Sequence, residues 1–348
     1  MYTSFMPQSS SISPKVDFDR STQATAESQK TFKTAVTIAN FDATFPTDQE
    51  SAQGVQKRFL IERDYETISH YIRNAGVALK STGLVDPDKF LPSPYDVVIF
   101  HSENGGYCTA DYPVGTIRLV LPERMNVPDL EMEQLLYHEI THFITKAVFH
   151  MRTDDAPDKV TSITEVSYGF SRLGVPFGKD WRTGVFDEPL GELFAMRALE
   201  VAHPDEHIDY RGTYVYQTAF MMAFLEKYAE LKGISPLEAF NQTFKAKVLQ
   251  DYSYFTDVVN HFSKLGLHEE TGKEGRKRAL DFTQALNLIS TTPAKGVTEE
   301  GLETMSYAAW LGGFYDDYVG KWKLLSAGQA VVFPEMKVSF MVGNFTLR

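Results

Sequence analysis

The fold is decided by Leu130–Phe149, which reads LEMEQLLYHEITHFITKAVF and follows Asp129. Apolar residues recur in this stretch at three- and four-residue steps, the spacing of one helix face, at Met132, Leu136, Ile140, Phe143 and Ala147. Asp129 is suited to cap the first turn, because its carboxylate can accept hydrogen bonds from backbone N–H groups there. The sequence therefore predicts one amphipathic helix from about Asp129 to Phe149, with its apolar face in the protein core.

The same helix carries the motif H-E-x-x-H, as His138-Glu139-Ile140-Thr141-His142. One helical turn separates the two histidines, so both imidazoles lie on one face and can bind a single metal ion. Glu139 borders that face, where its carboxylate can take a proton from a water that the metal polarises. The motif predicts a site for one Zn²⁺ ion, with His138 and His142 as ligands and Glu139 as the general base.

A catalytic zinc site usually has three protein ligands and one open position for water. In the metzincin motif a glycine follows the second histidine by three residues, and a third histidine ligand follows it by six. In this chain those two positions after His142 hold Thr145 and Val148. The third ligand is therefore expected to be an acidic residue further along the chain. The candidates are Glu165, Glu188 and Glu192.

Glu188 and Glu192 lie one helical turn apart in DEPLGELFA (Asp187–Ala195), at the start of a predicted helix. We predict Glu188 as the third ligand, with Glu192 bracing His138 through the ring nitrogen that does not bind the ion. Glu192 as the ligand is the first alternative to this assignment. Glu165 in the stretch ITEVSYGF is the second.

Periodicity and turn residues predict the other elements of the chain. Helices are expected over residues 49–83, 188–202, 213–233, 236–248 and 306–319. Strands are expected over residues 31–41, 95–102, 115–122, 321–327, 330–334 and 337–348. Turns or irregular structure are expected over residues 104–115 and 150–187.

This order of elements runs from mixed strands to helices and then to a small terminal sheet, which indicates the α+β class rather than regular βαβ alternation. Residues 1–30 are rich in Ser and predict a flexible tail. We expect an N-terminal α/β subdomain over 31–127, a helical zinc-binding subdomain over 128–262 and a C-terminal helical and β extension over 263–348.

HEITH followed by DEPLGELFA resembles the gluzincins, the HExxH…E zinc metallopeptidases, and especially their peptidase MA-like or mini-gluzincin type. The resemblance covers about residues 95–244 and implies a zincin-like fold, in which a mixed sheet presents an edge strand beside the HExxH helix. GTIRLVLP (Gly115–Pro122) fits that edge strand, with which an extended peptide could pair. The resemblance also implies a hydroxyl donor to the oxyanion, for which Tyr216 is the candidate and Tyr214 the alternative.

Composition excludes several other classes of function. The chain has 348 residues, with 34 Lys+Arg against 46 Asp+Glu and a net charge of −12, so broad binding to nucleic acid or to an anionic membrane surface is not expected. Cys108 is the only cysteine, which excludes an intrachain disulfide and a site built from several thiolates. The sequence has neither an apolar run long enough to span a membrane nor a signal-peptide pattern. We expect a cytoplasmic location, with which leaderless secretion is compatible.

The expected function is zinc-dependent hydrolysis of peptide bonds in a peptide or protein substrate, with Glu139 moving the proton from water to the leaving amine. Two alternatives stay open at this point. One is a zinc hydrolase that acts on a non-peptide ester or amide. The other is a catalytically inactive binding module on a protease-like scaffold.

Overall fold

The structure is a computed structural model, and it describes residues 16–18, 44–84, 86–103, 107–111, 115–123, 125, 127, 129–145, 147–153, 160–168, 171–174, 180–181, 184–251, 253–263 and 317–343. For some of these, including 107–111, 147–153, 160–168, 171–174, 180–181 and 216, only the backbone is described. The predicted strand over 31–41 and residues 306–316 of the predicted helix over 306–319 lie outside the described residues. In the segment 1–30, which we predicted to be a flexible tail, the described residues form a short strand, Val16–Phe18.

Helices and strands alternate irregularly along the described chain. The helices are α1 (Asp48–Ala52), α2 (Glu62–Ser81), α3 (Leu130–Ile144), α4 (Gly184–Ala202), α5 (Val215–Lys232), α6 (Pro236–Leu249), α7 (Ser253–Ser263) and α8 (317–326). The strands are β1 (Val16–Phe18), β2 (Gln56–Lys57), β3 (Val97–Ser102), β4 (Tyr107–Asp111), β5 (Thr116–Pro122), β6 (Ala147–Thr153), β7 (Val160–Tyr168), β8 (Ser171–Gly174), β9 (Asp180–Trp181), β10 (Asp209–Gly212), β11 (Val331–Val332) and β12 (Ser339–Val342). The predicted α+β class is confirmed.

A four-stranded mixed sheet precedes the HExxH helix, with the strand order β2-β3-β5-β4. The prediction that residues 115–122 form the edge strand is wrong, because β5 lies between β3, to which it is parallel, and β4, to which it is antiparallel. The outer strand of this sheet on that side is β4, in a segment that we predicted to be a turn. The glycines and the proline around β4 in the sequence dominated that prediction, whereas Tyr107–Asp111 between them forms a five-residue strand.

Helix α3 begins as predicted but ends earlier. Asp129 accepts a hydrogen bond from the backbone N–H of Glu131 at 2.9 Å, which caps the first turn. The helix stops at Ile144, where Thr145 takes an extended conformation, and the chain continues into β6 instead of a further helical turn. Val148 and Phe149 continue the apolar spacing, but both residue types favour strands.

Strands β6 to β9 form an antiparallel series within a five-stranded sheet, in the order β1-β6-β7-β8-β9. Strand β1 adds to this sheet in parallel with β6. The prediction of irregular structure over residues 150–187 is therefore wrong. The glycines and prolines of this segment dominated the prediction, whereas β6 and β7 are strands of seven and nine residues.

The single long helix predicted over residues 49–83 is also wrong. Gly54 adopts a positive φ of 79°, and a short strand, β2, separates α1 from α2. Phe59 and Ile61, which we counted toward the buried helix face, precede α2 and are exposed. Gly83 ends the second helix as predicted, with a positive φ.

The C-terminal part of the chain returns to the centre of the fold. The predicted strand over 321–327 is wrong, since α8 covers residues 317–326. Strand β12 pairs in parallel with β10, so that Tyr210 lies opposite Phe340. The three-stranded sheet β10-β12-β11 thus joins residues from both sides of the predicted boundary at 262/263.

Helices α3, α4 and α5 pack together in the main hydrophobic core, and their contacts set the relative positions of the site residues. Helix α5 is buried over most of its central turns, including Phe220 and Phe224. The buried carboxylate of Glu133 on α3 accepts a hydrogen bond from the Tyr137 hydroxyl at 2.6 Å and bonds His203, just beyond α4, at 2.9 Å. None of the helices in the described part of the chain has the length and apolar character that a bilayer crossing needs.

Candidate metal centre

Helices α3 and α4 bring three predicted ligands together. His138 Nε2 and His142 Nε2 are 3.1 Å apart. The Oε2 atom of Glu188 lies 3.2 Å from His138 Nε2 and 3.3 Å from His142 Nε2. Three ligand atoms from two helices therefore form a nearly equilateral triangle.

The size of this triangle fits a tetrahedral zinc site. For zinc–ligand distances of about 2.0–2.1 Å, two ligand atoms of a tetrahedral site lie roughly 3.3 Å apart. Two imidazole nitrogens and one carboxylate oxygen are also donors that zinc prefers, and together they leave one position open. The residues present therefore suit one Zn²⁺ ion in both geometry and chemistry.

Charge within the cluster favours a bound cation. Burial alone would raise the pKa of Glu188, but the imidazoles of His142 and His138 hold that pKa well below its usual range. Burial alone would lower the pKa of His138, because burial disfavours the charged imidazole. The carboxylates of Glu188, Glu192 and Glu139 outweigh this effect and raise the pKa to about 10. The surroundings of His138 thus stabilise positive charge, which a metal ion can supply in place of a proton.

The cluster is accessible from one side. The exposed fraction of the side chain is 29% for Glu188, 12% for His142 and 8% for His138. A structural zinc site is closed by four protein ligands, whereas a catalytic site keeps an open position. Three ligands with an exposed edge therefore match the catalytic type.

Glu192 faces the other ring nitrogen of His138. Its Oε2 atom lies 3.7 Å from His138 Nδ1, and the hydroxyl of Tyr210 donates a hydrogen bond to the same oxygen. Its Oε1 atom accepts hydrogen bonds from the backbone N–H groups of Thr213, at 3.1 Å, and Tyr214, at 3.5 Å. Glu188 and Glu192 therefore occupy opposite sides of the His138 ring, in the arrangement that the spacing predicts.

Gly191 is a residue that the motif analysis did not single out. It lies on α4 between the two glutamates, where a Cβ atom would be 2.9 Å from His138 Cε1 and 3.1 Å from both His138 Nδ1 and Thr141 Oγ1. Contacts this short would force the imidazole ring to move. Glycine at this position allows α4 to approach closely the face of α3 that carries His138.

The Gly191→Ala variant is expected to weaken zinc binding by about 10–100-fold, the range seen when the support of a ligand histidine is disturbed. Gly320→Ala on α8 is the matched control, because nothing lies within 4 Å of a Cβ atom placed there. Competition with a chromophoric chelator would measure both affinities. An unchanged zinc affinity in Gly191→Ala would show that His138 does not depend on this close approach.

Of the two candidate oxyanion donors, the structure describes the side chain of Tyr214. Tyr214 lies at the N-terminus of α5, and its ring stacks on that of His138 with centroids 6.0 Å apart and planes at 11°. Burial raises the pKa of Tyr214, and the nearby carboxylates of Glu188, Glu139 and Glu192 raise it further. For Tyr216 the structure describes the backbone in α5 but not the side chain. Tyr214 is thus the tyrosine that the described contacts bring to the cluster.

Glu139 is buried, with 6% of its surface exposed, and follows His138 directly on α3. Its carboxylate is close enough to influence the pKa values of His138 and Tyr214. Lys247 on α6 is fully buried, and burial lowers its pKa. The negative charges of Glu139 and Glu188 offset part of that decrease. Lys247 donates a hydrogen bond to the carbonyl oxygen of Asp187 at 2.8 Å and so anchors the turn that carries Glu188.

The remaining ligand candidate, Glu165, lies on β7 opposite His150 of β6. Its side chain is outside the described part of the structure. Within the described residues, the group that can hold a metal ion consists of His138, His142 and Glu188.

Comparisons of the chain with protein-family models, with curated proteins and with solved structures found no match.

Proposed function

We propose that this protein is a zinc-dependent peptidase of the gluzincin type, with a zincin-like fold. The observation that carries the proposal is the triangle of His138 Nε2, His142 Nε2 and Glu188 Oε2, with sides of 3.1, 3.2 and 3.3 Å. Two of its corners belong to an H-E-x-x-H motif, whose glutamate is the usual general base of a metallopeptidase. The sequence motif and the geometry therefore support the same chemistry.

In this proposal His138, His142 and Glu188 hold one zinc ion. Once bound there, zinc would act as a Lewis acid and lower the pKa of water at the open position. Glu139 accepts a proton from the attacking water on its carboxylate and then gives that proton to the nitrogen of the leaving amine. Burial of Glu139 limits its contact with bulk water and keeps the proton within the site.

Tyr214 is proposed as the donor to the oxyanion, in preference to Tyr216. Because its pKa is raised, the hydroxyl keeps its proton at neutral pH and can donate a hydrogen bond to the developing charge on the carbonyl oxygen. Its stacking on His138 places the ring beside a proposed ligand. The protonated hydroxyl and the ring's contact with His138 support this role.

The substrate is proposed to bind as an extended peptide along β4. This strand is the outer strand of its sheet within the described residues, and it packs against α3. An extended peptide can add to such an edge through main-chain hydrogen bonds. This binding mode is compatible with many different side chains on the peptide. This binding mode moves the proposed edge strand from residues 115–122 to β4.

Metal removal tests the proposed function. We expect the zinc-loaded protein to cleave members of a mixed peptide library, to lose at least about 99% of that activity on chelation, and to regain it with one equivalent of Zn²⁺. Mass spectrometry of the library measures the cleavage. Hydrolysis of esters or small amides without peptide cleavage would contradict the peptidase proposal and favour a non-peptide hydrolase. No hydrolysis of either class would favour a binding module.

A further inference from the structure

The carboxylate of Glu192 is a junction between the proposed metal site and the start of α5. One oxygen faces His138 Nδ1 at 3.7 Å, and the other accepts hydrogen bonds from the backbone N–H groups of Thr213 and Tyr214. The same carboxylate therefore touches a proposed zinc ligand and the backbone that places the proposed oxyanion donor. Glu192 is almost fully buried, with 2% of its surface exposed, so water cannot replace a lost partner freely.

Tyr210 supplies the side-chain hydrogen bond to this junction. Its hydroxyl donates to Glu192 Oε2, the oxygen that faces His138. Tyr210 is on β10 and is 3% exposed. A hydrogen bond from a neutral donor to a buried carboxylate is among the stronger kinds in proteins, because one partner is charged.

The C-terminal strand holds Tyr210 in place. The ring of Phe340 on β12 stacks on that of Tyr210, with centroids 5.9 Å apart and planes at 27°. Gly212, at the end of β10, lets the chain pass between Phe340 and Glu192, since a Cβ atom there would clash with the Phe340 ring and lie 2.9 Å from Glu192 Oε1. Residues near the end of the chain thus pack directly behind the carboxylate that faces His138.

We propose that Tyr210 is a positioning residue, which acts through Glu192 to orient His138 and to place Tyr214. The inference rests on the proposed zinc site and extends it, because it assigns the β10–β12 strand pair a part in zinc affinity and turnover. Without the Tyr210 hydroxyl, Glu192 Oε2 loses the hydrogen bond that holds it beside His138 Nδ1, and the carboxylate can turn away from the ring. The imidazole then loses part of its orientation, and the start of α5 loses part of its anchor.

The Tyr210→Phe variant tests this inference, because it removes the hydroxyl and keeps the ring that packs on Phe340. We expect the zinc Kd, measured by chelator competition, to rise about tenfold, and kcat to fall with little change in KM. Tyr228→Phe is the matched control. That variant removes another buried tyrosine hydroxyl, which bonds Asp257 on α7 outside the site, and should leave the zinc Kd within about twofold of the parent.

A double-mutant cycle with Glu192→Gln separates positioning from a general loss of stability. If Tyr210 acts through Glu192, the effect of Tyr210→Phe on the zinc Kd disappears in the Glu192→Gln background. Additive effects in the cycle would overturn the inference. Phe340→Leu is a second variant, since it loosens the packing of Tyr210 and keeps the hydroxyl. If either Tyr210→Phe or Phe340→Leu folds and has the zinc Kd of the parent protein, the inference is also overturned.

The parent protein distinguishes failure of this inference from failure of the proposed function. A parent that binds zinc and cleaves peptides, together with a Tyr210→Phe variant of parental Kd and kcat, would overturn only the role of Tyr210. A parent that binds no zinc would overturn both.

Discussion

The Glu139→Gln variant is expected to retain one equivalent of zinc and to lose about 10³-fold in kcat. Glutamine has the shape of glutamate but cannot accept the proton of the attacking water, and general bases contribute roughly 10²–10⁴-fold to such reactions. Glu139 is not one of the three proposed ligands, so the zinc Kd should change little. Steady-state hydrolysis of a peptide substrate, with metal content measured on the same sample, checks both parts of this prediction.

The control for this variant is Glu131→Gln, which makes the same change in the first turn of the same helix. Glu131 lies about two helical turns before His138 and outside the cluster, and its variant should keep kcat within about twofold of the parent. A Glu139→Gln protein that hydrolyses peptides at the parental rate would rule out Glu139 as the general base. Loss of zinc in that variant would instead assign Glu139 a part in metal binding.

The Glu188→Gln variant is expected to raise the zinc Kd by more than the roughly 10–100-fold that follows loss of an outer partner. The change removes the negative charge that lies 3.2 and 3.3 Å from the two imidazoles, and a neutral amide oxygen is a weaker ligand for zinc. Because zinc would then bind weakly, turnover at low free zinc should fall in parallel. Chelator competition and activity against free zinc measure the two effects.

The two other candidate ligands provide the controls. Glu192→Gln should raise the zinc Kd by about 10–100-fold, since Glu192 supports His138 from behind the ring. Glu165→Gln should leave the zinc Kd unchanged within about twofold. If Glu165→Gln or Glu192→Gln weakened zinc binding more than Glu188→Gln, our assignment of the third ligand would be wrong.

The sequence predicts the cluster of His138, His142 and Glu188 better than it predicts the surrounding sheets. His138, His142 and Glu188 meet because two local patterns are sufficient: a motif within one helix, and two glutamates one turn apart in another. Each pattern acts over a few residues, and burial of the apolar faces of α3 and α4 then brings the two helices together. Local spacing and helix packing therefore place most of the site.

Strand β4 and the strands after Thr145 were not predicted, although each of β4, β6, β7, β8 and β9 pairs with a strand close to it in sequence, because the pattern within one segment does not reveal its partner. Tyr107–Asp111 forms a strand only because β5 accepts it as an antiparallel neighbour, and glycines on both sides hide that pairing. The apolar spacing of α3 continues to Ala147 and beyond, yet those residues belong to β6, which pairs with β7. Periodicity within one segment does not record such partners.

The supports of the site were missed for the same reason. Tyr210, Gly212 and Phe340 carry no motif, and they meet behind Glu192 only because β12 pairs with β10 across a long stretch of sequence. Gly191 offered a weak signal, as a glycine inside a predicted helix, where it costs stability unless close packing requires it. Lys247 offered none, because a lysine in a helix is usually exposed.

The central claim is that three side chains from two helices bind one zinc ion, and anomalous diffraction from zinc-loaded crystals tests it most directly. Data collected above and below the zinc absorption edge should give one anomalous peak, about 2.0–2.1 Å from His138 Nε2, His142 Nε2 and a carboxylate oxygen of Glu188. A zinc-loaded crystal with no anomalous peak between these side chains, or with the peak on other residues, would contradict the claim.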